Sequence, residues 1–267
     1  MGFWNGKAVI VTGGSSGLGL AIVRALFDAG ARVAIVGRSA EKLEATKTLL
    51  RDHGTGTVLT IVADVTQPVD VEQLVQTAVG ELGRVDMLVN CAGSSARGDV
   101  MSTTVDDFRR LMELNFLALV SCTRTALPYL LKSRGHVVNI GSLASKSASR
   151  YMGGYAASKF AVAAYSQQLR LELAGQGLHV MLVCPGPIAR DEPRSYAGQE
   201  NLPKAAGEAG AGVKLVRIDP EWLAKRILRG CQRRELEIVV PWKARLLFAI
   251  SQLSARWGDW LLRRKTP

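Results

Sequence analysis

Tyr155 and Lys159, in Tyr155-Ala156-Ala157-Ser158-Lys159, stand at i and i+4, which sets a phenol and an ammonium on one face of one helix. A free Tyr hydroxyl titrates near pH ~10, too high for easy proton exchange at neutral pH, and a nearby ammonium favours the phenolate and lowers that value. Such a pair can give or take a proton at a polar atom held against it. Ser142 lies thirteen residues earlier, in Asn139-Ile140-Gly141-Ser142, and its hydroxyl can hold the same atom. A second cluster is Thr12-Gly13-Gly14-Ser15-Ser16-Gly17-Leu18-Gly19. Its glycines permit a tight turn and let backbone N–H groups and a helix N-terminus approach a pyrophosphate closely. Metal chemistry has no such support. Cys91, Cys122, Cys184 and Cys231 form no CxxC pair, and His53, His136 and His179 add no ligand spacing for a zinc or iron–sulfur site, so no metal is expected.

Short β-branched runs alternate with helix-length segments for about 180 residues. The strand-like runs are Ala8–Thr12, Arg32–Val36, Thr57–Val62, Met87–Asn90, His136–Ile140, His179–Val183 and, later, Glu237–Val240. Most are apolar throughout, as parallel strands covered on both faces require. The helix-length segments are Leu18–Ala29, Glu41–Asp52, Val71–Leu82, Val105–Lys132, with a break expected near Asn115, and Tyr155–Gly175. This alternation predicts an α/β fold, a doubly wound parallel sheet in a single domain spanning 1–267. The glycine turn then follows the first strand and opens the first helix, which strengthens its reading. After Pro185-Gly186-Pro187 the pattern stops. Segment 187–218, with Pro193, Pro203 and the Ala/Gly-rich run 205–212, is expected to be a lid over the cleft. Asp219-Pro220-Glu221 reads as N-cap, first-turn proline and first-turn acid of a helix to about Gly230.

With 267 residues, 48% hydrophobic and 21% charged, the chain can bury one large core, and disorder is excluded. No apolar run reaches the roughly 20 residues of a membrane span. The first strand follows the N-terminus almost directly, without a basic region or cleavage site, so a cytoplasmic, reducing setting is expected. The net charge of +11 is uneven: 225–267 carry eleven Lys/Arg against three acids, a net +8. A nucleic-acid role lacks any accompanying motif.

The spacing Gly13-x-x-x-Gly17-x-Gly19 resembles the TGxxxGxG turn of the short-chain dehydrogenase/reductase family rather than the GxGxxG fingerprint. Ser142, Tyr155 and Lys159 match that family's catalytic trio at its usual spacing, and Asn115, in Leu114-Asn115-Phe116, matches its fourth member. The resemblance implies a Rossmann-type fold and carbonyl–alcohol interconversion with a nicotinamide cofactor. It implies that Tyr155 supplies the proton to a carbonyl oxygen as hydride reaches the carbon, and that Ser142 holds that oxygen. Lys159 would tune Tyr155 and bind the nicotinamide ribose; Asn115 would hold a water linking Lys159 to solvent. On the cofactor side it implies contacts from Gly13, Ser15, Ser16, Gly17, Leu18 and Gly19, and from Asp64 and Val65 at the adenine. Asn90, Ala92 and Gly93 resemble the family's NNAG stretch, with Cys91 in place of the second Asn. Pro185, Gly186 and Ile188 would lie by the nicotinamide, and Arg190 stands where a Thr is frequent. At the end of the second strand Gly37 carries no carboxylate to repel a 2′-phosphate, and Arg38 offers it a bidentate cation, which favours NADP(H).

The expected activity is NADP(H)-dependent interconversion of a ketone or aldehyde with an alcohol, on a small-molecule substrate that can be hydrophobic. The alternatives are a 3-oxoacyl carrier-protein reductase, a long-chain lipid ketone reductase and a non-catalytic NADP-binding redox sensor; the intact Tyr155 and Lys159 argue against the last. The resemblance also implies a homodimer or homotetramer. In the tail, 242–265, Trp242, Leu246, Ile250, Leu253, Trp257, Trp260 and Leu261 recur at helical spacing, flanked by Lys243, Arg245, Arg256, Arg263, Arg264 and Lys265. This amphipathic stripe is expected to pack on protein, ahead of peripheral contact with an anionic membrane.

Overall fold

All seven strand-like runs enter one parallel sheet in the computed structural model, which describes residues 2–51, 54–189, 202 and 216–265. They are β1 (Ala8–Thr12), β2 (Arg32–Gly37), β3 (Thr57–Val62), β4 (Met87–Asn90), β5 (His136–Ile140), β6 (His179–Pro185) and β7 (Glu237–Val240), in the order β3-β2-β1-β4-β5-β6-β7. The order reverses between β1 and β4, which opens a crevice beyond the carboxyl ends of those two strands.

Alternate strand residues face opposite layers. Val9, Val11, Val33 and Ile35 meet α1 (Gly17–Asp28), α2 (Ala40–Arg51) and α7 (Pro220–Gln232). Ala8, Ile10, Ala34 and Val36 meet α3 (Pro68–Leu82) and α5 (Ala118–Ser133). Both faces are therefore buried, the condition the apolar strand runs imply. As expected, Asp219 caps α7, accepting from the N–H groups of Glu221 and Trp222. The helix start at Thr104 is fixed by a reciprocal capping box with Asp107.

One expectation changes. No break occurs at Asn115: α4 (Val105–Met112) continues into α5 through a π turn, Glu113–Leu117, in which Ala118 N–H bonds to Glu113 O. The extra residue re-aims Asn115 without interrupting the helix. The resulting run, Val105–Ser133, is also long and apolar enough by length and composition to cross a membrane. Leu119, Cys122, Ala126 and Leu130 are buried in the core, which is how a core helix behaves. The lid expected at 187–218 falls largely outside the described residues, as does Arg190. At its base Ile188 bridges Ile218, with Ile218 N–H donating to Pro187 O at 2.8 Å.

At the amino ends of β5 and β6, His136 and His179 are register partners, with Nδ1 atoms 2.8 Å apart. His179 Nε2 lies 2.9 Å from Glu235 O, which can only accept, so His179 is protonated there and receives a hydrogen bond from His136 Nδ1–H. Burial, first, and the facing His179 push His136 down to about 3; burial also lowers His179. Both are neutral in the folded chain, whereas unfolded histidine titrates near ~6.5. Stability is thus fully present above about pH 6.5 and declines as the pH falls toward about 3, because the unfolded chain takes up protons first. The urea midpoint should be lower at about pH 5.5 than at about pH 7.5, a window above most carboxylate titration. Equal midpoints at the two pH values would mean the pair is protonated when folded.

Candidate active site

The turn between β1 and α1 is built for close approach. Gly13 has φ +67, and a Cβ there would lie 3.0 Å from the backbone of Ala92; one at Gly19 would lie 2.1 Å from Gly13 O. Gly17, at φ +51, faces open space. Ser16, the N-cap of α1, makes no side-chain cap bond, and the first turn of α1 carries no acid. Its N–H groups and positive end are therefore free of the usual internal partner, and this is the arrangement an anionic pyrophosphate fits. Ser16 and Gly17 are exposed, whereas the Leu18 side chain enters the core, leaving only its backbone for a ligand.

Across the crevice mouth, a Cβ on Gly37 would sit 3.3 Å from Ser15 Oγ, so the turn and the end of β2 share one wall. Arg38 is exposed and makes no salt bridge among the described residues. Asp64 accepts from Thr66 N (3.0 Å) and Oγ1 (2.8 Å), which holds its carboxyl below the usual range, with a smaller contribution from Arg38. Val65 is buried beside it.

Below the crevice lies a polar row that sequence reading did not single out. Thr12, Asn90 and Asn139 are register partners on β1, β4 and β5. Thr12 Oγ1 accepts from Cys91 N (3.1 Å) and Ala92 N (3.2 Å). Asn90 Nδ2 donates to Thr123 Oγ1 and Asn139 Oδ1, both at 2.9 Å, and Asn139 Nδ2 donates to Ser166 Oγ. The Asn90 amide nitrogen is thus committed to the interior, while its buried Oδ1 has no hydrogen-bond partner among the described residues.

Lys159, in α6 (Tyr155–Leu173), is buried, and its Nζ donates to Ile140 O at 2.8 Å. The ammonium lies 5.9 Å from the centroid of the Tyr155 ring. Burial lowers it to about 8, with Cys91 and Cys184 opposing weakly. A Cβ on Gly93 would come within 2.9 Å of Asn115 Oδ1, so only glycine leaves that amide undisturbed, and it would reach ordinary contact, 3.7 Å, with Lys159 Nζ. Asn115, buried in the π turn, accepts from Ser94 N (2.8 Å) and donates to Ser94 O (2.9 Å) and Ser158 Oγ (3.0 Å). Its side chain clamps the loop after β4 to α6, through Ser158, whose Oγ donates to Tyr155 O. Both hydrogens of that amide are engaged in the clamp, while Oδ1 accepts a single bond, from Ser94 N. Ser142 follows β5; its Oγ accepts from Ala144 N, and Ser145 Oγ accepts from Ser142 N. Gly186, past β6, donates to Val240 O. Ser94 and Ser158 were missed, although Ser158 stands inside the Tyr155–Lys159 motif itself.

The structure also gathers His136, His179 and Cys231, whose ligand atoms lie within 4.8 Å of one another, despite their separation in sequence. The hydrogen bonds from His136 to His179 and from His179 to Glu235 O already occupy three of the four ring nitrogens.

A sequence profile described as short chain dehydrogenase matches residues 7–200. L-fucose dehydrogenase of Mus musculus is 39% identical over 223 residues, 79% of this chain and 80% of that protein. Glycine betaine reductase ATRR of Emericella nidulans is 38% identical over 232 residues, 86% of this chain, but the chain spans only 18% of that protein. A solved short-chain dehydrogenase from Streptomyces avermitilis superposes with a TM-score of 0.81 at 28% identity, covering 98% of this chain and 99% of that one. The glycine turn, the seven-stranded parallel sheet and these likenesses agree: the chain belongs to the short-chain dehydrogenase/reductase family, oxidoreductases that act on alcohol and carbonyl groups with a nicotinamide cofactor.

Proposed function

We propose that the protein interconverts a ketone or aldehyde with the corresponding alcohol, using NADP(H), with Tyr155 as the general acid and base. The observation that carries this is the buried Lys159 ammonium, anchored on Ile140 O and set against the Tyr155 ring. A positive charge in that position stabilises the phenolate that remains after Tyr155 gives up its proton. The cofactor, when bound, supplies or accepts the hydride. Ser142 holds the substrate oxygen by hydrogen bonding, and the extended backbone at Ser142, pinned by Ser145, fixes where that hydroxyl stands. Asn115 acts through its clamp on Ser94 and Ser158, which keeps Gly93 and Tyr155 in register with Lys159.

The preference for the phosphorylated nucleotide rests on Gly37 and Arg38. Asp64, whose carboxyl the Arg38 charge helps to lower, is engaged with Thr66, and Arg38 makes no salt bridge among the described residues, which leaves the guanidinium available to a 2′-phosphate. A relative that takes L-fucose, by its name, and another named for glycine betaine both act on polar small molecules, so the substrate class here is kept to carbonyl and alcohol compounds in general.

For the nucleotide, NADPH should bind more tightly than NADH in direct titration, and Arg38→Ala should remove most of that margin, about tenfold or more for a lost charge-assisted pair. Equal affinities for the wild-type chain would overturn the assignment. For the chemistry, Tyr155→Phe should lower kcat by at least about 100-fold while leaving NADPH affinity nearly intact. Reduction by the wild-type chain should also weaken as the pH rises through about 8, where the buried Lys159 loses its charge. A kcat/KM profile for reduction that is flat from neutral pH to well past that value would exclude Lys159 as the tuning group.

A further inference from the structure

The helices α8 (Ala244–Leu253) and α9 (Ala255–Lys265) do not bury the stripe that the sequence leads one to place on protein. They are two short helices separated by the extended Ser254 rather than one. One side of α8 is held: Phe248 is buried with Leu182, Val162 and Val239, and Ala244 packs beside it. On the other side Trp242, Leu246 and Leu253 are 72%, 68% and 87% exposed. Leu246 and Leu253, seven residues apart, form one row along the helix, and Trp242 stands in the turn just before it. α9 meets α8 where Gly258 contacts Ser251, so closely that a Cβ would lie 2.8 Å from Ser251 Cα. Trp257 and Trp260, three residues apart, are 68% and 51% exposed, and the Arg264 guanidinium stands 4.0 Å from the Trp260 ring centroid. Isolated exposed apolar residues need no explanation; two rows with three tryptophans in and beside them, on adjoining helices, do.

The charges around these rows select the partner. Between 242 and 265 stand Lys243, Arg245, Arg256, Arg263, Arg264 and Lys265 against the single Asp259. We propose that α8 and α9 form a docking surface for an anionic lipid bilayer, lying in the plane of the headgroups. Tryptophan favours that depth, because its ring is apolar and its N–H is not, and the flanking cations face the lipid phosphates. Ten- and eleven-residue helices are too short to span the hydrocarbon layer of roughly 20 residues, so they lie on it. A second copy of the same face would set the exposed Lys243, Arg256, Arg263 and Arg264 near their own like, which opposes self-association there. A polyanion such as nucleic acid would use the cations and leave Leu246 and Leu253 in water. Only a lipid surface takes both halves of the pattern.

The test is co-sedimentation of the full chain with vesicles of phosphatidylserine and phosphatidylcholine, against phosphatidylcholine alone. Light scattering of the chain without lipid gives its assembly state. The variants are Trp257→Ala with Trp260→Ala, and Arg256→Gln with Arg263→Gln; all four residues are exposed, and thermal midpoints check that the fold is kept. The full chain should pellet with the anionic vesicles and at least about tenfold less with the neutral ones, and each double variant should lower anionic binding by about tenfold or more with an unchanged assembly state. Three results would overturn the proposal: no pelleting with anionic vesicles; binding untouched by loss of the two tryptophans, which is charge attraction alone; or a smaller assembly after their loss, which makes the face a subunit contact.

Discussion

Thr12, Asn90 and Asn139 cross three neighbouring strands in one row, and the crevice above them depends on the hydrogen bonds they make sideways. The strand rows beneath are mostly apolar, down to His136 and His179 at the far end. In this row the register also carries hydrogen bonds, and a buried amide that loses a partner costs about 1–3 kcal/mol. Thr12 fixes the backbone of Cys91 and Ala92 against the glycine turn, Asn90 ties β4 to α5 through Thr123, and Asn139 ties β5 to α6 through Ser166. The helices that carry Asn115 and Lys159 are thereby set relative to the turn at Gly13. Cofactor cradle and proton-transfer residues, far apart along the chain, share one foundation.

That foundation allows Lys159 to be buried. Taking an ammonium out of water is unfavourable, and here the cost appears as its lowered pKa. The group stays because Ile140 O accepts from it. The opposite end of the sheet solves a different problem. There Asp86 is buried against Ala8 N–H, Lys7 and Arg84, and the two histidines are kept neutral. Trp4 packs against His136. The charged groups at the amino ends are matched within the chain, although Trp4 Nε1 is buried without a partner among the described residues, while the carboxyl ends include donors at the start of α1 that no side chain of α1 caps.

The strands were legible because each is a short apolar run between turn signals, and their limits shift by no more than two residues: β6 extends to Pro185. Tyr155, Lys159, Ser142 and the glycine turn were legible because chemistry fixes both residue type and spacing. Asn115 was legible as a position but not as a conformation. A π turn arises from tertiary demand, here the bonds to Ser94 and Ser158, and leaves no periodicity of its own. The Thr12–Asn90–Asn139 row was hidden for a related reason. Single polar residues at strand ends look like the edge of a loop until the register places them side by side. The tail shows the limit from the other side, since helical spacing gives an apolar face and is silent on what meets it.

The helix starts give the last link between charge and site. Helices α2, α3, α4 and α7 each carry an acid in the first turn: Glu41, Asp70, Asp106 with Asp107, and Glu221. These carboxylates offset the positive helix ends within the chain. α1 and α6, which begin at the glycine turn and at Tyr155, have none, as is also true of α5, α8 and α9. A bare helix start at α1, the exposed Arg38 and the buried Lys159 ammonium all push the potential of this crevice in the positive direction. An anionic ligand is the compensating charge, and a dinucleotide carries its phosphates at the position the bare α1 start would hold. The same fields that would gather the cofactor also favour the phenolate of Tyr155, so binding and proton transfer draw on one electrostatic arrangement rather than two.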